Sequence, residues 1–162
     1  MVSRTTTFSM KLFISYARED EELALTLEQG LSKYHSCWID SKSLRAGTKW
    51  EMEIEKAIKE CEVFLFITTP HSLRSSYCQQ EVGLAAQKYK KVIIPLMGEN
   101  LPTLPEELAK LQWIFLKDID SDLGLLLGEL SRLQPFPWVD IAIVEAAIIL
   151  LLVGIILGIE LP

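Results

Sequence analysis

The sequence predicts an α/β domain in which a five-stranded parallel sheet carries helices on both faces, followed by one apolar C-terminal helix. Three observations predict it. Short runs rich in β-formers alternate with amphipathic helical stretches over residues 9–133. Two of those runs, Val63 to Thr68 (VFLFIT) and Val92 to Met97, are apolar throughout or nearly so, the pattern of parallel strands covered on both faces. An apolar excess is then concentrated in residues 141–159, behind a linker that begins at 134.

Taken in order, residues 11–16 (KLFISY) form the first strand, and the acidic cluster that follows suits the N-terminal dipole of a helix. That helix carries Leu23, Leu27 and Leu31 on one stripe. Cys37-Trp38-Ile39 is a second strand, and Ser41 to Gly47 is a polar loop. Trp50, Ile54 and Ile58 mark the next helix, before the Val63 strand. A polar stretch, His71 to Ser76, leads into a helix over about 77–88; Ser76 and Gln79 have capping-box spacing, which starts it at Tyr77. The Val92 strand, a Pro/Glu-rich loop over 101–107, a last strand over 113–116 and a helix over about 121–133 complete the domain.

The chain's 162 residues suit one domain with an appendage. A net charge of −6, with no basic run longer than Lys90-Lys91, argues against nucleic acid as a partner. Three cysteines and two histidines show neither CxxC nor HxxxH spacing, so neither a metal site nor a disulfide framework is expected, and the chain reads as intracellular and reduced. The first ten residues lack the apolar core of a signal peptide. Residues 141–159 hold one charge, Glu145, and as a helix reach about 28 Å, close to the hydrocarbon thickness of a bilayer. With Trp138 before the stretch and every Lys and Arg on its N-terminal side, the expectation is a single-pass tail anchor with the domain in the cytoplasm; a buried or self-associating apolar helix is the alternative.

No GxGxxG or GxxxxGK[ST] element follows a strand, and Thr68-Thr69-Pro70 stands where a receiver domain of this topology needs its acceptor aspartate. Cys78 and His71 make a poor nucleophile and base, since a structural cysteine is the commoner case. The informative stretch is Ser75-Ser76-Tyr77-Cys78-Gln79-Gln80-Glu81. Tyr77 and Glu81 are i, i+4 on a helix at the sheet's C-terminal edge, where a carboxylate can hold a sugar and a ring can stack. The plainer reading is a solvated Glu beside a packed Tyr.

FISYAREDEELA, WIDSKSLRAGTKWEMEIEKAI and VFLFITTPHSLRSSYCQQEVGLA together resemble, in order and spacing, a Toll/interleukin-1 receptor (TIR) domain of the prokaryotic kind over residues 9–133. The resemblance implies a flavodoxin-like five-stranded parallel sheet. It implies that the loop carrying Ser43, Leu44, Arg45 and Gly47 mediates assembly with other TIR domains into a homo-oligomer or filament. It further implies that Glu81 is the catalytic glutamate of an NAD+ hydrolase that needs no metal or cofactor and serves cell-death or antiphage defence at a membrane. Tyr77 would stack a ring, and Phe13, Ser15, Tyr16 and Trp50 would line the substrate pocket or pack beneath it; for Phe13 and Trp50 the core is the better expectation. Tyr77 replaces a usual Trp, and Ala46 a common Pro. The alternatives are a non-catalytic TIR scaffold and a TIR cyclase that keeps ADP-ribose as a cyclic signal.

Overall fold

The computed structural model describes residues 9–39, 50–97, 104, 106–116 and 119–133. The chain divides into two compact units, residues 1–131 and 132–162. In chain order the elements of the first are β1 (Lys11–Ser15), a 3₁₀ turn (Arg18–Asp20), α1 (Glu21–Leu31), β2 (Ser36–Ile39), α2 (Trp50–Glu60), β3 (Val63–Thr68), α3 (Ser76–Gly83), a π turn (Leu84–Lys88), β4 (Val92–Met97), α4 (Glu106–Ala109), β5 (Ile114–Phe115) and α5, which begins at Ile119 and ends at Leu133. The five strands pair in parallel in the order β2-β1-β3-β4-β5. The chain therefore winds outward in both directions from the β1/β3 pair, which is the switch point of the sheet.

Strand alternation divides the interior in two. Leu12 and Ile14 of β1, with Val63, Leu65 and Ile67 of β3, face one layer, where Ala24, Leu27 and Leu31 of α1 and Leu126 and Leu130 of α5 cover them. Phe13, Phe64 and Phe66 face the other, covered by Ile54 and Ile58 of α2, Cys78 of α3 and Leu108 of α4. All six residues of β3 are buried, in keeping with its continuous apolar run. Across the second face the rings of Trp38, Phe13 and Phe64 stack, with centroids 4.7 and 5.1 Å apart, so that three neighbouring strands share one aromatic ladder.

Four expectations are corrected. The helix after β3 begins at Ser76 rather than Tyr77, because Ser75 and not Ser76 is the cap: its backbone is extended and its hydroxyl accepts from the Cys78 N–H. That helix does not run evenly to Lys88; it widens into a π turn at Leu84 and closes on Lys90, whose φ of 48° is left-handed. Glu55 of α2 holds this turn by accepting from Lys88 Nζ and from Tyr89 Oη, the latter at 2.6 Å. The Pro/Glu-rich loop contains one helical turn, α4, at its C-terminal end. The last strand is shorter than the apolar run, pairing with β4 only at Ile114 and Phe115.

Among the described residues, no helix is long and apolar enough to cross a membrane. The 141–159 stretch and the assembly-loop residues Ser43, Leu44, Arg45 and Gly47 lie outside the described residues.

At the N-terminal end of β1, His35 Nδ1 accepts from the Met10 N–H at 3.4 Å while Glu62 takes the Lys11 N–H at 2.8 Å. His35 is buried, and burial lowers its pKa below the ordinary 6.5, against a smaller opposing pull from the Glu62 carboxylate. A histidine with a depressed folded pKa binds fewer protons folded than unfolded just below 6.5, so its contribution is fully present above that pH and is lost as the pH falls toward the folded value. Between about pH 7.5 and about pH 5.5 the wild-type melting temperature should fall further than that of His35→Gln; equal falls would show that His35 is not the group responsible.

Candidate active site

The candidate site stands at the C-terminal end of the switch-point pair. Ser15 is the last residue of β1, in register with Phe66 of β3 and two residues beyond Phe13 on the same face. Its side chain therefore points into the layer that α3 covers. From α3, Cys78 and Glu81 are the buried residues, an i, i+3 stripe that Ala85 continues into the π turn. Ser15 Oγ donates to Glu81 Oε2 at 2.5 Å, joining a strand end to a helix 66 residues later in the chain. Ser15 is 1% exposed and Glu81 7%.

A second set of polar side chains forms the shoulder of the site. Asp20 occupies the N-cap position of α1 but makes no capping bond there; its carboxylate instead accepts from Thr69 Oγ1 at 2.6 Å, just past β3. The Thr69 N–H donates to Ser72 Oγ at 2.9 Å, which folds the loop back before α3 begins. Among the described residues no buried side-chain nitrogen or oxygen lacks a partner. Burial pushes the Cys78 thiol pKa up, with the Glu81 and Asp20 carboxylates adding to the effect against the Ser75 and Ser15 hydroxyls. A protonated, buried thiol is no nucleophile. Among the described residues, no cluster of three or more His, Cys, Asp and Glu side chains could hold a metal ion.

Of the residues singled out from the sequence, Ser15 and Glu81 are brought into direct contact. Tyr77 is 58% exposed. Positions i and i+4 are offset by about 40° around a helix, and the buried stripe falls on the Glu81 side of that offset, leaving Tyr77 at the solvent border. Phe13 is fully buried, stacked in the aromatic ladder beneath the site, so it supports the site instead of lining it. Tyr16 follows Ser15 and packs partly buried against the α1/α5 layer. Trp50 opens α2. Asp20, Thr69 and Ser75 went unassigned from sequence. Their signal is the presence of short polar side chains in the connections that follow two apolar strands, at the edge where parallel sheets carry their sites.

The sequence profile of the TIR domain matches residues 12–127. The chain belongs to the TIR domain family. The probable 2′ cyclic ADP-D-ribose synthase of Brachypodium distachyon is 30% identical over 86 residues, which cover 51% of this chain and 38% of that protein. Mouse Toll-like receptor 13 is 30% identical over 104 residues, covering 59% of this chain and 10% of the receptor. The matched regions thus span well under half of either curated relative. Among solved structures, the TIR domain of the Toll-related receptor TRR-2 from Hydra magnipapillata superposes with a TM-score of 0.61 at 17% identity, covering 78% of this chain and all of that one. A Clostridium botulinum CMP N-glycosidase reaches 0.53 at 20% identity, covering 72% and 97%; at such identities both likenesses speak to fold alone.

Ser75 as the true cap has a direct consequence. Ser75→Ala should lower stability by about 1 kcal/mol, whereas Ser76→Ala, on an exposed residue, should change it by less than about 0.5 kcal/mol. Denaturant titration of the two variants measures both; the reverse order would restore the cap to Ser76.

Proposed function

We propose that this TIR domain cleaves the bond between nicotinamide and ribose in NAD+, with Glu81 as the catalytic group. The observation that carries the reading is a carboxylate fixed by Ser15 at the C-terminal end of the β1/β3 switch point and almost closed off from water. Support also comes from the synthase relative, whose product contains ADP-ribose, the part of NAD+ that remains once nicotinamide has left.

The chemistry asks for little more than one well-placed anion. Most glycosidases need a second carboxyl group to protonate the leaving oxygen. Nicotinamide in NAD+ is already a cationic pyridinium, so when the ribose C1′–N bond breaks, the electron pair passes to nitrogen and the ring departs neutral. Positive charge develops on C1′ and the ring oxygen, and Glu81 stabilises it while holding the ribose hydroxyls. Water then bonds to C1′ and releases a proton, giving ADP-ribose; a cyclase differs only in that a hydroxyl of the same molecule attacks C1′. Tyr77, at the solvent border beside Glu81, stacks a ring of the substrate, and Tyr16 and Trp50 complete the surroundings. Assembly through Ser43, Leu44, Arg45 and Gly47 activates the domain. The 141–159 stretch holds it at a membrane with the TIR domain in the cytoplasm, in a cell-death or antiphage response.

Glu81→Gln should abolish release of nicotinamide from NAD+, read by chromatography, with the melting temperature close to wild type. Wild-type turnover in that variant would remove Glu81 from the mechanism, whereas a wild-type chain that leaves NAD+ intact would favour the scaffold reading, to which the Toll-like receptor similarity also points.

Leu44→Asp should lower activity together with the assembly seen by light scattering, because a charge replaces an apolar anchor. Lost activity with unchanged assembly would move the loop from the interface to the substrate pocket.

A further inference from the structure

We propose that Ser15 is the positioning residue of Glu81: its hydroxyl holds Oε2 of the carboxylate in place and favours the ionised form. This rests on the reading of Glu81 as the group that meets the substrate, and it replaces the expectation that Ser15 itself contacts NAD+.

A serine hydroxyl has a single proton to donate. Here that proton is given to Glu81 Oε2 at 2.5 Å, from a side chain that is 1% exposed beneath α3. Ser15 therefore has neither the donor nor the exposure for a substrate contact. What it does have is rigidity: it is the last paired residue of a central strand, anchored in register to β3, while Glu81 rides on a helix. A bond from sheet to helix sets the carboxylate's rotamer against the one part of the fold that cannot shift without breaking the core. It also offsets the cost of burying a charge, since a donor to the ionised form favours that form.

Two carboxylates act on the Cys78 thiol of the same helix: Glu81 itself and Asp20, which stands before α1. The Cys78 thiol stays protonated, and the Asp20 charge, tied to Thr69, acts alike on wild type and Ser15 variants. Loss of the Ser15 hydroxyl is thus the change that a titration of Glu81 would register.

The test is a carboxyl-carbon NMR titration of the full chain labelled at glutamate, with the Glu81 signal assigned by its absence from Glu81→Gln. In Ser15→Ala the Glu81 pKa should rise by about one pH unit, and Ser15→Thr, which keeps the hydroxyl, should return it toward wild type. In parallel, kcat for NAD+ should fall about tenfold in Ser15→Ala with KM nearly unchanged, and the acid limb of the pH profile should move up with the titration. Should Ser15→Ala fail to fold, Ser15→Cys, a similar volume with a weaker donor, takes the same measurement. An unchanged Glu81 titration, or an equal rise in the threonine variant, overturns the positioning role. A wild-type chain that leaves NAD+ intact overturns the proposed reaction, while the titration still decides the role of Ser15.

Discussion

Parallel pairing of β1 with β3 is the constraint on which the rest of this domain depends. Both strands are central, both are covered on two faces, and every residue of β3 is withdrawn from water. Burying side chains such as Phe13, Phe64 and Leu65 contributes about 2 kcal/mol each, and the gain is realised only if helices cover both faces of the sheet at once. That requirement fixes which way the chain turns after each strand. Since α1 lies on one face and α3 on the other, β2 is laid outside β1 and β4 outside β3, and the loops after β1 and β3 diverge above the pair. The divergence of these loops at the sheet edge is a by-product of satisfying the core.

Placing a carboxylate at the border of such a core costs free energy unless hydrogen bonds replace the lost water. The domain meets that cost with short polar side chains placed at the ends of apolar strands. Ser15 at the end of β1 serves Glu81; Thr69 beyond β3 serves Asp20; Ser72 turns the loop; Ser75 starts α3 at the residue that brings Cys78 and Glu81 inward. The buried arc of α3 carries Cys78 and Glu81, so the packing of that helix on the sheet and the geometry of the site are one problem. The far end of the helix is held separately, where the π turn widens and Glu55 of α2 takes Lys88 and Tyr89. Glu55 is exposed enough that this tie carries little free energy through charge alone; its effect is geometric, setting α2 beside the end of the Glu81 helix.

The expectations drawn from individual residues divide along physical lines. Phe13 is invisible as a site residue once the ladder Trp38-Phe13-Phe64 is known, since a fully buried ring works by packing. Tyr77 and Glu81 share a helical spacing yet separate at the solvent border, because spacing orders side chains around an axis without saying where the buried arc begins. Asp20 reads as one acid among several suited to a helix start. Its partner Thr69, 49 residues away, makes it a structural tie.

The set of elements and their layering is legible in the order of the amino acids. Continuous apolar runs at Val63 and Val92 imply buried parallel strands, and the stripe Leu23-Leu27-Leu31 implies a covering helix, because these signals arise from local periodicity and burial. The same local signals placed Glu81 on a helix near the sheet's C-terminal edge. Long-range packing, by contrast, brings Ser15 to that glutamate and Asp20 to Thr69, and selects the arc of α3, with Cys78 and Glu81, that faces inward. Those facts depend on strand order and on contacts between residues 49 and 66 positions apart in sequence, and no local pattern encodes which of several serines and acids will become neighbours when the chain closes.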